Sequence, residues 1–270
     1  MADESQMQAE ESPQLQAEEP PQAHARERPM QIRITENGPY RVRGMPLVRT
    51  VVVEDGFGDA IAWGQDEPLT AAGSYALCRC GGSSAKPFCD DSHLMNGFDG
   101  TEVADRGPRA DRMRVFPGDG VEMTDDPSLC THVGFCTNRR THVWQLIGET
   151  DDEAVREQLL RMLDLCPSGR LGHRSAPDAP EDEPELGPTV AVVRDGPLWV
   201  RGGVEVVGGD GVAYERRNRV ALCRCGHSRN KPFCDGSHVD VGFRDPGAGG
   251  HTEDPEDREA DPRPSGATPT

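Results

Sequence analysis

A sixteen-residue stretch occurs twice in the chain. It reads Cys78-Arg-Cys80-Gly-Gly-Ser-Ser-Ala-Lys-Pro-Phe-Cys89-Asp-Asp-Ser-His93 and Cys223-Arg-Cys225-Gly-His-Ser-Arg-Asn-Lys-Pro-Phe-Cys234-Asp-Gly-Ser-His238. Each copy gathers three thiols and one imidazole in the order Cys-x-Cys-x8-Cys-x3-His, a full ligand set for metal. Six of the nine cysteines are used in this way, so the chain folds around metal and its function follows from which metal. Thiolates are soft ligands that favour zinc, copper(I) or iron–sulfur. Three Cys and one His also suit tetrahedral zinc. Zinc fingers, however, space their first pair more widely than the single residue between Cys78 and Cys80. Nothing marks the chain as secreted, which argues against a disulfide framework.

These residues resemble the CDGSH iron–sulfur proteins (the NEET family), whose motif runs Cys-x-Cys-x2-Ser/Thr-x3-Pro-x-Cys-Asp-Gly-Ser/Ala-His. The second copy matches throughout, with Cys223, Cys225, Ser228, Pro232, Cys234, Asp235, Gly236, Ser237 and His238. The first matches with Cys78, Cys80, Ser83, Pro87, Cys89, Asp90, Ser92 and His93, and departs at Asp91, where the family has Gly. If the position needs a positive φ, Asp is one of the few side chains that tolerate it. Its charge is expected to disfavour the reduced cluster and lower the potential. The resemblance implies one [2Fe–2S] cluster per motif. The pairs Cys78 and Cys80, and Cys223 and Cys225, would hold the inner irons. Cys89 with His93, and Cys234 with His238, would hold the outer ones. A neutral His in place of a thiolate raises the potential. The ligating nitrogen must be deprotonated, so acid is expected to labilise the cluster. Arg79, Arg224, Lys86 and Lys231 are candidates for positive charge beside the clusters.

The other cysteines are Cys130, Cys136 and Cys166, in Cys130-Thr-His132-Val-Gly-Phe-Cys136 and Leu165-Cys166-Pro167-Ser168-Gly169. Thr150-Asp-Asp-Glu153 has the form of a capping box. Val155, Leu159, Met162, Leu163 and Cys166 then recur at helical spacing, and Pro167 helps stop the helix. A Cys followed by Pro also ends bacterial ferredoxin runs. The segment looks like the divergent single-cluster ferredoxin-type domain that some bacterial proteins carry beside CDGSH motifs. That domain opens Cys-x-His-x3-Cys and closes Cys-Pro-x-Gly. Three thiolates can hold a [3Fe–4S] cluster, or a [4Fe–4S] cluster with a fourth ligand that is not Cys. His132 is the first candidate for it and His142 the second. The alternative is that the three cysteines simply pack in a core.

The repeat extends beyond the motifs. Asn37-Gly-Pro-Tyr-Arg-Val-Arg-Gly44 parallels Asp195-Gly-Pro-Leu-Trp-Val-Arg-Gly202, and Phe98 and Phe243 each follow the motif His by five residues. The first copy carries an insertion around Ile61 to Leu69. Apolar residues alternate over Ile32–Ile34, Val48–Val53, Thr189–Val193, Leu198–Val200 and Val204–Val207, which predicts short strands with Gly turns between them. The expected fold class is α+β, with two small β-rich units and an inserted ferredoxin-like α/β segment. The expected divisions are an acidic tail over 1–28, a first cluster domain over 29–105, the middle domain over 106–173, an acidic Pro-rich linker over 174–188, a second cluster domain over 189–243 and a tail over 244–270. Tails and linker lack the apolar residues to order themselves. Clusters must then supplement a small hydrophobic core. CDGSH proteins with one motif pair as homodimers, so the resemblance implies that the two halves form an internal pseudo-dimer and the protein a monomer.

The net charge of −18 argues against a nucleic-acid partner. No stretch is long enough to span a membrane, and the acidic N-terminus resembles neither a signal nor a transit peptide. Arg far outnumbers Lys, with abundant Ala, Gly and Pro, which suggests a GC-rich bacterial genome and a cytoplasmic home. The expected function is electron transfer by a soluble multi-cluster protein with a redox partner, either a reductase or an electron acceptor. Donation of clusters to apo iron–sulfur proteins, or pH and redox sensing, is the second reading. A zinc-stabilised interaction module is the third. No nucleophile–base pair, phosphate loop or nucleotide fingerprint points to an enzyme.

Overall fold

The alternating segments are strands in the computed structural model, which describes residues 30–71 and 73–245. The first repeat contributes β1 (Gln31–Ile34), β2 (Tyr40–Arg43), β3 (Leu47–Thr50), β4 (Val52–Glu54), β5 (Ala60–Trp63), β6 (Glu67–Leu69) and β7 (Ser74–Leu77). The middle segment contributes β8 (Arg114–Pro117), β9 (Glu122–Asp125), α1 (Val143–Leu146), α2 (Glu153–Asp164) and β10 (Leu171–Arg174). The second repeat contributes β11 (Thr189–Val193), β12 (Leu198–Arg201), β13 (Glu205–Val207), β14 (Arg219–Leu222) and α3 (Ser237–Asp240). The described fold is mostly β with few helices. The tail expected over 1–28 lies outside the described residues, as does the chain after Asp245.

Sequence periodicity explains the burial of each strand. In β2, Tyr40 and Val42 are buried and Arg41 and Arg43 exposed, as expected of a strand with one wet face. β11 is different, with Val190 to Val193 all buried. One of its faces enters the main core. On the other, Ala191, Val193 and Trp199 meet Val48, Trp63 and Leu186, so the insertion and the linker cover it. Asn37 and Asp195 are third in equivalent hairpin turns, Thr35 to Gly38 and Val193 to Gly196, with φ of 47° and 51°, a left-handed conformation that Asn and Asp before Gly readily adopt.

The two main sheets each draw on both repeats. One has the order β13-β1-β2-β7, the other β14-β12-β11-β3-β6. β1 pairs parallel with β13, and β11 pairs parallel with β3. The equivalent strands β3 and β13 have thus exchanged sheets. The sheets share one core, in which Ile32, Ile34, Tyr40 and Leu77 pack with Val190, Val192, Leu198, Val220 and Leu222. Neither repeat closes a core of its own.

The middle segment is a three-stranded sheet of order β10-β9-β8 under α1 and α2. Leu159 and Leu163 of α2 are fully buried beside Met123, Leu146 and Leu171. The helix is where the spacing predicts it, but its cap is Asp152, whose carboxylate accepts from the N–H groups of Ala154 and Val155. Thr150 faces the other way. Its hydroxyl accepts from the N–H of Asp119 at 2.7 Å and donates to the Ile147 carbonyl, so the capping box does not form.

Besides the apolar contact of Leu186, the linker is held by charge. Glu181 accepts from Arg109 at 2.6 Å, and Glu183 from Arg219 at 2.7 and 2.8 Å. Both arginines are buried, where a charge requires a partner. Among the described residues no helix is long and apolar enough to cross a membrane.

Candidate metal centres

Each motif begins where a strand ends and continues as a loop. β7 delivers Cys78 and β14 delivers Cys223. The loop folds back so that Cys78 N–H donates to Pro87 O and Cys223 N–H to Pro232 O, both at 2.8 Å. Ser83 and Ser228 hydroxyls donate to Phe88 O and Phe233 O at 2.6 Å. Asp90 and Asp235 carboxylates accept from Ser92 and Ser237 hydroxyls, also at 2.6 Å, and turn the chain so that the His faces its Cys. Asp91 and Gly236 both adopt the left-handed conformation, with φ of 65° and 86°. The departure from Gly is therefore compatible with the backbone.

The candidate ligands stand in pairs. Cys78 Sγ and Cys80 Sγ are 3.8 Å apart, Cys223 Sγ and Cys225 Sγ 3.6 Å. Cys89 Sγ lies 3.5 Å from His93 Nδ1, and Cys234 Sγ 3.4 Å from His238 Nδ1. With metal–sulfur and metal–nitrogen bonds of about 2.3 and 2.0 Å, two thiolates on one tetrahedral ion stand about 3.8 Å apart, and a thiolate and an imidazole about 3.5 Å. Each pair is thus spaced for one metal atom. A single ion holding all four ligands would need every separation in this range. Among the described residues, Cys89, Asp91 and His93 form the group whose ligand atoms all lie within 4.8 Å of one another, and the four ligands of neither motif do so.

Burial pushes the Cys78 thiol up to about 11 and also raises Cys89 and Cys234. Burial favours the neutral form of these three thiols, and metal binding would displace their protons. Burial lowers the pKa of His238, which favours the neutral ring that ligation requires.

The four cations near the motifs are structural ties. Arg79 is buried, donates to Gly100 O at 2.6 Å and lies over the Tyr40 and Phe98 rings. Arg224 donates to Gly196 O at 2.7 Å and Val193 O at 2.6 Å, pairs with Asp245 and lies over Phe243. Asp245 is itself 2 % exposed and lies beyond the expected end of the second domain. Lys86 and Lys231, the only lysines of the chain, cap Ser83 O and Ser228 O at 2.6 and 2.9 Å.

Cys130, Cys136 and Cys166 converge on one cavity of about 310 Å³, which His132, Ser168 and Arg170 also line. Its thiols do not form a group close enough for one ion, and the space between them suits a polynuclear cluster. Arg170 adds positive charge and is held in place by Asp125 at 2.7 and 3.2 Å. His132 lines the cavity with the thiols. His142 instead caps α1, its Nδ1 accepting from Gln145 N–H at 3.1 Å, and does not line the cavity.

Two elements of this region were not legible in the sequence. Arg219, 1 % exposed on β14, donates to the carbonyls of Leu163, Asp164, Cys166 and Leu171 at 2.8 to 3.2 Å. It ties the loop that carries Cys166 to the strand leading into the second motif. The insertion begins earlier than expected, as the β4–β5 hairpin. Its Trp63 stacks on Trp199 at 4.4 Å, meets Phe135 at 5.0 Å and donates to Leu165 O at 3.0 Å. A larger cavity of about 1040 Å³ lies on the other side of Phe135, lined by Phe57, Ile61, Trp63, Met162 and Trp199. The surplus tryptophan in an insertion was the available signal.

Residues 37–94 and 195–239 match the family described as iron-binding zinc finger CDGSH type, and residues 116–175 the family described as divergent 4Fe-4S mono-cluster. No curated protein and no solved structure matches the chain. The paired ligands, the cavity of three thiols and these matches agree: the chain is an iron–sulfur protein with two CDGSH-type domains and a divergent 4Fe-4S mono-cluster domain between them.

Proposed function

We propose that the chain is an electron carrier with three clusters, one [2Fe–2S] in each CDGSH-type motif and one [3Fe–4S] or [4Fe–4S] in the middle cavity. The observation that carries this reading is the division of each motif into two ligand pairs, each spaced for one metal atom. The clusters supply one-electron chemistry when bound, and the surrounding protein tunes their potential. The residues orient the ligands, neutralise thiolate charge and exclude water. Exchange of β3 and β13 between the sheets supports an internal pseudo-dimer that needs no second chain. A reductase or electron-acceptor protein would complete the reaction, in a compartment that keeps thiols reduced. The chain itself is a carrier and not a catalyst.

The test is iron and sulfide analysis of anaerobically purified protein, with absorption and EPR spectra of the same sample. Roughly seven or eight irons per chain are expected, and Cys166→Ser should remove those of the middle site alone. Zinc without sulfide would overturn the reading.

A second reading is cluster donation. It is favoured by the partial exposure of Cys80, Cys89 and His93. Transfer to an apo-ferredoxin that His93→Cys leaves unchanged would count against it.

A further inference from the structure

The two motifs share their ligands but not their surroundings. In the second, Cys223, Cys225, Cys234 and His238 are 1 %, 4 %, 3 % and 8 % exposed. In the first, Cys80, Cys89 and His93 are only partly buried, Asp91 is exposed, and Leu94 and Met95 just after His93 are 72 % and 89 % exposed.

The cover over the second motif comes from the middle domain. Its loop from Ser128 to Val133 lies on the outer ligand pair. Asn230 Nδ2 donates to Ser128 O at 2.9 Å, and Val133 lines one groove with His238. The closest approach is at Gly236, between Cys234 and His238. A Cβ there would stand 2.4 Å from Cδ2 of His132 and 3.0 Å from its Cγ, so the imidazole occupies the space a side chain at this position would need. The equivalent residue of the first motif is Asp91, with the same left-handed backbone and an exposed side chain. Backbone conformation therefore does not explain why one copy keeps Gly and the other carries Asp. Room does: His132 takes the space at 236.

We propose that the two CDGSH-type sites are unequal by construction. The first is open to exchange of its iron. The second is closed by the His132 loop and retains its iron, in contact with the middle centre. This rests on the reading that both motifs hold iron–sulfur clusters.

The test uses the full chain with its metal as purified, challenged with excess EDTA at mildly acid pH. Ferric iron passes to the chelator without change of oxidation state. The bridging sulfides leave as hydrogen sulfide, and the thiols and imidazole take up protons in place of metal. Iron loss is followed by visible absorption. One His-ligated cluster should be lost roughly tenfold faster than the other, or more, the factor that about 1.4 kcal/mol of additional local opening gives. His93→Cys should slow the fast phase alone, and His238→Cys the slow phase alone. Gly236→Asp, which places a side chain where His132 lies, should bring the slow phase toward the fast one. Asn230→Ala, a milder loosening of the cover, should do so in smaller degree.

A single phase for both clusters, a fast phase that follows His238→Cys, or a slow phase that neither cover variant accelerates would overturn the inequality. Zinc without sulfide in the starting protein would overturn the reading beneath it.

Discussion

Cys80 and Cys225 pair their backbones in an antiparallel bridge, so that the second cysteine of one motif is the cross-strand neighbour of its counterpart in the other. The next residue on each side is a glycine with positive φ, Gly81 at 76° and Gly226 at 85°. A Cβ on Gly81 would stand 2.4 Å from Cys225 O, and one on Gly226 2.6 Å from Cys80 O. Both backbone strain and a clash with rigid main chain oppose any side chain here. Gly226→Ala should lower stability by about 2 kcal/mol or more and loosen both motifs together. Denaturant unfolding combined with iron counts on the folded fraction checks this. Loss confined to one site would refute the coupling.

Tyr40 lies in the first repeat, yet its buried hydroxyl donates to Cys223 O at 2.7 Å and approaches Pro232 O at 3.1 Å, both in the second. Burial raises its pKa well above the usual tyrosine value, and the group stays a neutral donor. Tyr40→Phe leaves these carbonyls without it at a cost of about 1–3 kcal/mol. Cluster loss should accelerate at the second motif and not at the first, which chelation kinetics on the variant can resolve.

Arg219 ties the Cys166 loop to β14 and is paired with Glu183. Arg219→Met removes a buried charge together with donors to four carbonyls, whereas Glu183→Gln leaves the guanidinium buried without its counter-charge. Removal of one partner from a buried pair costs about 3–5 kcal/mol. Arg219→Met is therefore expected to lose the middle cluster first, and the EPR signal of that cluster, measured beside total iron, is the readout. Retention of full middle-site occupancy would show that the loop is held by other contacts.

Backbone N–H groups of Asp91 and Gly236 face the Cys89 and Cys234 thiols alike, but the first motif adds a carboxylate, with Asp91 Oδ1 3.9 Å from Cys89 Sγ. A carboxylate disfavours an added electron. Asp91→Gly should raise the potential of the first site by roughly 40 mV, the equivalent of a unit charge about 4 Å away in water-like surroundings. Redox titration followed by EPR measures it. A lowered potential would reverse the assigned sign.

The clustering of thiols and imidazoles was legible because it is local. Cys-x-Cys, the Pro turn and Asp-x-Ser-His place three thiols and an imidazole within one loop, and the strands before them carry their own alternation. Helix α2 was visible for the same reason, through Val155, Leu159, Met162 and Leu163. Its cap was misread because Asp152 and Thr150 are both good capping residues, and Thr150 is drawn off by Asp119 and Ile147. The linker was read as unable to order itself because composition counts apolar surface and cannot see that Glu181 and Glu183 face buried arginines.

The sequence by itself determined that thiols and imidazoles gather in two like motifs, that three further thiols belong to an unlike segment between them, and that the scaffold is short strands and one amphipathic helix. These are properties of residues near one another along the chain. Only the tertiary structure decided that β3 and β13 exchange sheets, that Cys80 meets Cys225, and that His132 covers Gly236 while Asp91 stays exposed. Those outcomes depend on how residues distant in the chain fill shared space, and steric exclusion at a distance leaves no periodic trace in a single sequence.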